Sequence, residues 1–183
     1  MLHAHTSNQP GPQQHPRDWA KATDKELIAH VLESYHVRHR EQLPELIALA
    51  EKVERVHAEH PDVPAGLAAH LVDMLQELES HMQKEEHILF PMILRGQKTM
   101  AVGPISVMES EHVQHMEALQ KMLMLAHQLE LPEAACNSWR TLYAGVGELR
   151  DDLMEHIRLE NEFLFKQNVS SAEHGCCGGC GGR

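Results

Sequence analysis

Aromatic residues are scarce in this chain, with two Trp, two Tyr and three Phe among 183 residues. Leu, Met, Ala and Glu dominate instead, a composition that suits helices rather than strands. No run of 18 apolar residues occurs, so no transmembrane helix is expected. The opening "MLHAHTSNQPGPQQHPRDWA" has neither a basic start nor an apolar stretch, which argues against a secretory signal and for a cytoplasmic address. Positive charge is also in short supply: 16 Lys and Arg against 27 Asp and Glu leave a net charge of −11. That balance argues against nucleic acid or an anionic membrane surface as partner. Of four cysteines, three (Cys176, Cys177, Cys180) fall in the terminal "CCGGCGGR", too close together to staple a domain. What the chain does have is histidine, 16 in all.

The length suits one compact domain with tails. Residues 1–22 are rich in Pro, Gln, His and Asn and read as a flexible arm. At "TDKE" the text changes: Thr23 and Glu26 have the capping-box spacing. An apolar stripe follows at Ile28, Leu32, Tyr35, His39, Leu43, Leu46, Ala50 and Val53, with Pro44 expected to bend the helix without ending it. A second helix, with Asp62 as candidate cap, carries Leu67, Leu71, Met74, Leu78, His81, Glu85, Ile88 and Met92. A third starts at Pro104 in its first turn and carries Ile105, Met108, His112, His115, Leu119, Met122 and Ala126. After Pro132 a fourth carries Leu142, Val146, Leu149, Leu153, His156, Glu160 and Phe163. Beyond about residue 167 the periodicity stops, and 168–183 read as a Gly/Cys tail. Four long helices joined by short loops predict an all-α, antiparallel up-down four-helix bundle over residues 23–167.

Two His-x-x-x-Glu pairs, His81/Glu85 and His156/Glu160, each put both side chains on one helix face. Pairs at this spacing are unsurprising in so His- and Glu-rich a chain. Their position is not: both continue the stripe that should be buried, where an unpaired carboxylate costs several kcal/mol or is neutralised. A cation removes that cost. Height along the bundle agrees. At a rise of about 1.5 Å per residue, His36, His81, Glu85, His112, His156 and Glu160 all lie roughly 9–21 Å from the same end. On helix one, His36 and His39 both fit the inner face. Four imidazoles and two carboxylates are many ligands for one ion, but for two bridged ions they leave vacant positions for small molecules. The donor set suits iron or manganese, with zinc a further option.

The segments "YHVRHREQLPELIALAEKVERVHAEHPDVPAGL", "LESHMQKEEHILFPMI", "GPISVMESEH" and "DDLMEHIRLENEFLF" resemble the four helices of the hemerythrin-like di-iron proteins, specifically the Repair of Iron Centres family. The resemblance covers about residues 24–167. It implies two iron ions, with His36, His81, His112 and His156 as terminal ligands, two per iron, and Glu85 and Glu160 as bridges. It selects His36 over His39, which becomes a supporting or surface residue. His115 is expected to be a hydrogen-bonded core residue, and His57 to lie outside the site. Glu86 and Glu111, about 100° off the stripe, are expected to be solvated, with a role in ion or proton access as the alternative. An oxygen carrier of this kind would use a fifth histidine four residues after His112, where this chain has Met116. Longer family members carry a small N-terminal domain with a Cys-Cys-Gly-Gly motif; this sequence shows no counterpart and closes on "CCGGCGG".

The function so implied is repair of iron–sulfur clusters damaged by nitrosative or oxidative stress. It would work by delivering iron, or by binding nitric oxide and reducing it with the two electrons of a ferrous pair. Nitric oxide or oxygen would be the small ligands, damaged iron–sulfur proteins the clients, and the chain a monomer or homodimer. The alternatives are a hemerythrin-type oxygen or nitric oxide sensor, and a structural bundle holding metal incidentally.

Overall fold

The computed structural model describes residues 18–173, which are helices and turns with no strand among them. Residues 1–17 of the expected arm, and residues 174–183 with Cys176, Cys177 and Cys180, lie outside the described residues.

Four long helices form the bundle. Helix α1 comprises Asp24–Val31, a π-helical turn at Leu32–His36, and Val37–Val56. Helix α2 comprises Leu67–Lys84, a π turn at Glu85–Leu89, and Phe90–Leu94. Helix α3 is Lys98–Leu125. Helix α4 comprises Asn137–Leu159, a π turn at Glu160–Phe165, and Lys166–Glu173. Helix α1 packs on α2 and α4, and α3 on α2 and α4, closing the ring of an up-down bundle.

Local chemistry sets the ends. Thr23 and Glu26 make the reciprocal capping box that the sequence predicts. Pro44 stays inside an unbroken α1. Three expectations are corrected. Helix α2 starts not after Asp62 but after Gly66, whose φ of +85° suits a residue without a Cβ. The free Ala68 N–H there donates to Glu54 Oε1 of α1 at 2.9 Å. Helix α3 begins six residues before Pro104, at Lys98, and carries the proline internally. Helix α4 continues to Glu173, past the break expected near residue 167.

The π turns also correct the stripes. Each inserts one residue into the helical repeat, so the buried face beyond it is set by a five-residue step. In α1 that step joins Val31 to His36, and Leu32 and Tyr35 are only partly buried. In α2 the residues buried beyond Glu85 are Leu89, Phe90 and Ile93, while Ile88 is 53% exposed and Met92 only partly covered. In α4, Leu164 and Phe165 are buried where Phe163 was expected.

The core is in two parts. The larger runs from Leu43, Leu71 and Leu119 to Trp139 and Leu153. The smaller joins Leu27, Ile28 and Val31 to Leu89, Phe90, Ile105, Leu164 and Phe165. Each fully buried Leu or Phe contributes about 1.5–3 kcal/mol over an exposed one. On all four helices the polar positions identified above fall between these two apolar blocks, so the layer is clamped from both sides.

Candidate metal centre

Ten polar or charged residues are buried among the described residues, and eight of them gather in this layer: His36, His39, His81, Glu85, His112, His115, His156 and Glu160. The π turns place three of them. His36 ends the turn in α1, while Glu85 and Glu160 begin the turns in α2 and α4. π turns are rare and gather at functional sites, because the extra residue re-aims a side chain without ending the helix.

All six candidate ligands come together. His36 Nε2 lies 3.4 Å from Glu85 Oε2 and His81 Nε2 3.3 Å from Glu85 Oε1. Across the layer, His112 Nε2 lies 3.1 Å from Glu160 Oε2 and His156 Nε2 3.3 Å from Glu160 Oε1. His81 and His112 bring their Nε2 atoms within 3.1 Å of each other. The donor atoms fall into two groups, His36–Glu85–His156–Glu160 and His81–Glu85–His112–Glu160, each with its atoms within 4.8 Å of one another. Both groups use both glutamates.

The other ring nitrogens identify what faces inward. His36 Nδ1 is 2.8 Å from Glu86 Oε1, His81 Nδ1 is 2.9 Å from Glu111 Oε2, and His112 Nδ1 is 2.9 Å from Asn161 Oδ1. These oxygens only accept, so the three Nδ1 atoms carry the proton and the Nε2 atoms present lone pairs. His156 Nδ1 is 3.3 Å from His39 Nε2 and donates to it in the same sense. Burial, then His156 and His36, pull His39 down to about 2 and hold it neutral, able to accept.

The inner faces therefore set lone pairs against lone pairs. His36 Nε2, His156 Nε2 and all four oxygens of Glu85 and Glu160 are buried without a hydrogen-bond partner. Burial and the Glu160 charge push Glu85 up to about 8. Glu160 goes the other way: burial alone raises it, but positive charge on His156 and His112 outweighs that and holds it well below the carboxylate range, the same charge that a bound cation would supply to neutral rings. So much unpaired acceptor in an apolar clamp needs a cation. Size agrees too: two donors each about 2.0–2.2 Å from one ion, at tetrahedral to octahedral angles, stand roughly 3.0–3.4 Å apart. The layer fits metal.

Charge continues outward. Glu86 also takes Arg40 at 2.9 Å, and Arg40 grips Glu79 with two bonds, of 2.8 and 3.1 Å. Glu111 also pairs with Lys84. Burial works against ionised Glu86 and Glu111, but Arg40 with His36, and Lys84 with His81, hold both below the ordinary value. Their expected role as solvated groups is corrected: each fixes a ligand ring, as outer carboxylates do in metal sites. Asn161 was not foreseen. Its signal was adjacency, since Glu86, Glu111 and Asn161 each sit one residue from a ligand and point at the neighbouring helix. His115 is buried as expected, but its Nε2 lacks a partner and its ring stands edge-on to His81 at 4.8 Å. Burial, with His81 and His112, lowers it to about 3. His57 lies well outside the layer, its Nε2 3.1 Å from Cys136 Sγ.

Comparison with known proteins agrees with this geometry. The family described as "Hemerythrin HHE cation binding domain" matches residues 27–167. "Iron-sulfur cluster repair protein YtfE" of Citrobacter koseri is 53% identical over 154 residues, covering 84% of this chain and 70% of the relative. The proteins of the same name from Escherichia coli and Escherichia fergusonii are 54% identical over the same shares.

Proposed function

The chain belongs to the hemerythrin HHE cation-binding family, which implies an iron site, and on that premise we propose that it is a non-haem di-iron protein repairing iron–sulfur clusters damaged by nitrosative or oxidative stress. The observation that carries the dinuclear reading is the sharing of Glu85 and Glu160 by both donor groups. In this reading His36 and His156 would hold one iron and His81 and His112 the other, with Glu85 and Glu160 shared between them. When bound, such a pair supplies two reducing equivalents and open positions for nitric oxide or oxygen, enough to convert two nitric oxide molecules and two protons to nitrous oxide and water.

The polypeptide's part is to hold and orient. Glu86, Glu111, Asn161 and His39 each fix the Nδ1 side of a ligand ring, which keeps the four Nε2 lone pairs convergent. The two apolar blocks limit water on either side of the layer. Two carboxylates and four neutral imidazoles would leave a pair of divalent ions with a net charge of +2, an incomplete neutralisation that suits ions to be given up when iron is delivered.

The relatives' naming as cluster repair proteins favours repair over the oxygen or nitric oxide sensor reading. Damaged iron–sulfur proteins are then the clients. Among the described residues no helix is long and apolar enough to cross a membrane. We place the activity in the cytoplasm, where such clients are found. The test is reactivation: iron-loaded protein, added to a nitric-oxide-inactivated iron–sulfur hydratase, restores its activity, and a Glu85→Ala protein does not. Equal recovery with both proteins contradicts the proposal.

A further inference from the structure

Only four side chains in the chain are Trp or Tyr. Two of them, Trp139 and Tyr143, pair with each other in the larger core, rings 6.2 Å apart. The other two lie on a line of touching rings that ends on a candidate ligand. Trp19 and His30 have ring centroids 4.4 Å apart, and His30 and Tyr35 are 5.5 Å apart, edge to face. Tyr35 then stacks on His156 at 5.5 Å with only 10° between the planes. These are ordinary contact distances for rings, with no gap along the line.

Each member is held in place. Trp19 sits in the 3-10 turn Trp19–Lys21 just before the capping box and packs, partly buried, against the smaller core. His30 Nδ1 is 3.0 Å from Ser34 Oγ, which fixes its ring. Tyr35 lies within the π turn that ends at His36, and that extra residue sets the ring against α4 instead of the bundle axis. Packing alone would be satisfied by any apolar side chain. Here Trp and Tyr, the aromatic side chains that give up one electron most readily, occupy the two ends of the segment outside the ligand.

We propose that Trp19, His30 and Tyr35 form a relay for single electrons between the protein surface and the His156 side of the metal centre, discharging it when a hydroperoxide reacts there. The inference rests on the metal reading above. Tyr35 gives one electron toward His156 and its phenolic proton to solvent, becoming a phenoxyl radical. Trp19 passes one electron through the His30 contact and releases its indole proton to solvent, becoming a neutral indolyl radical, while Tyr35 regains a proton from solvent. A thiol returns one electron and one proton to oxidised Trp19, and two thiyl products join as a disulfide. Two passes supply the two electrons and two protons that turn one hydrogen peroxide into two waters. Without the relay the deficit would fall on the ligand histidines.

The experiment uses the full chain loaded with iron, exposed to hydrogen peroxide without added thiol, and read by peptide mass spectrometry and electron paramagnetic resonance. Oxidation products accumulate on Trp19 and not on Trp139. Tyr35→Phe keeps the ring and its packing, yet Trp19 oxidation is lost, although Trp19 is as exposed as before. In Trp19→Phe the radical is trapped on Tyr35, giving a signal that narrows when the tyrosines carry ring deuterium. Protein loaded with zinc shows neither. Equal Trp19 oxidation in wild type and Tyr35→Phe, with iron bound in both, overturns the relay and leaves the site reading standing. Failure to bind iron overturns both.

Discussion

Replacing Glu85 by Gln removes a charge and almost no volume, so it isolates what the buried carboxylate does. Glu85 is fully buried, and burial with the Glu160 charge moves it from 4.5 to about 8. A carboxyl whose value is raised on folding contributes stability that is complete below its unfolded value and lost as pH rises through the folded one. At 1.36 kcal/mol per pH unit, the interval from 4.5 to about 8 corresponds to about 5 kcal/mol. In protein stripped with a chelator, urea unfolding of wild type and Glu85→Gln coincides at about pH 4 and below. The variant becomes the more stable by up to about 5 kcal/mol at pH 9, because Gln does not ionise. Metal reverses the order, since a cation bound only to the folded state stabilises wild type by mass action, and the variant holds fewer ions. Opposite signs with and without metal mark a residue kept for binding rather than for the fold. If stripped Glu85→Gln is less stable than wild type at pH 9, or keeps full metal content, the carboxylate is not an unpaired ligand and the reasoning fails.

Further expectations follow from the same contacts. Glu111→Gln and Asn161→Ala loosen the His81 and His112 rings, and each lowers metal affinity about 10–100-fold, measured by competition with a chromogenic chelator, with helix content unchanged. Burial draws His39 to about 2 and His115 to about 3. Histidines lowered on folding contribute stability that is present above pH 6.5 and lost as pH falls toward those values. Stripped protein therefore loses stability below pH 6.5, and His39→Gln makes the loss shallower in urea titrations. A Cβ at Gly145 would stand 2.6 Å from Cδ2 of Leu46, which is itself buried and has little room to shift, so Gly145→Ala lowers the melting temperature by an amount matching roughly 1–3 kcal/mol. Thr23→Ala removes the capping box and costs about 1 kcal/mol in the same assay.

The bundle and the layer were legible for one reason. His81, Glu85, His156 and Glu160 sit on stripes otherwise made of Leu, Val and Met, and a polar residue on such a stripe has to be explained. Boundaries set by backbone geometry were less so: Gly66 displaced Asp62 as the start of α2, and α3 absorbed Pro104. The π turns were invisible to a fixed helical period, which is why Ile88 and Phe163 were assigned to the core in place of Leu89 and Phe165. Glu86 and Glu111 were assigned to solvent because they lie about 100° from the stripe, a direction that is open on an isolated helix. In a four-helix bundle that direction meets the next helix, and there each finds a ligand's second ring nitrogen. Choosing between His36 and His39 needed the family resemblance. In the structure His36 faces Glu85 and His39 lies behind His156.

The central claim, two irons bridged by Glu85 and Glu160, is tested most directly by the metal content of anaerobically purified protein together with its absorption spectrum after oxidation. The account predicts about two irons per chain and an oxo-bridged band in the near ultraviolet, both lost in Glu85→Ala. One zinc per chain, or iron content unchanged in Glu85→Ala, would contradict it.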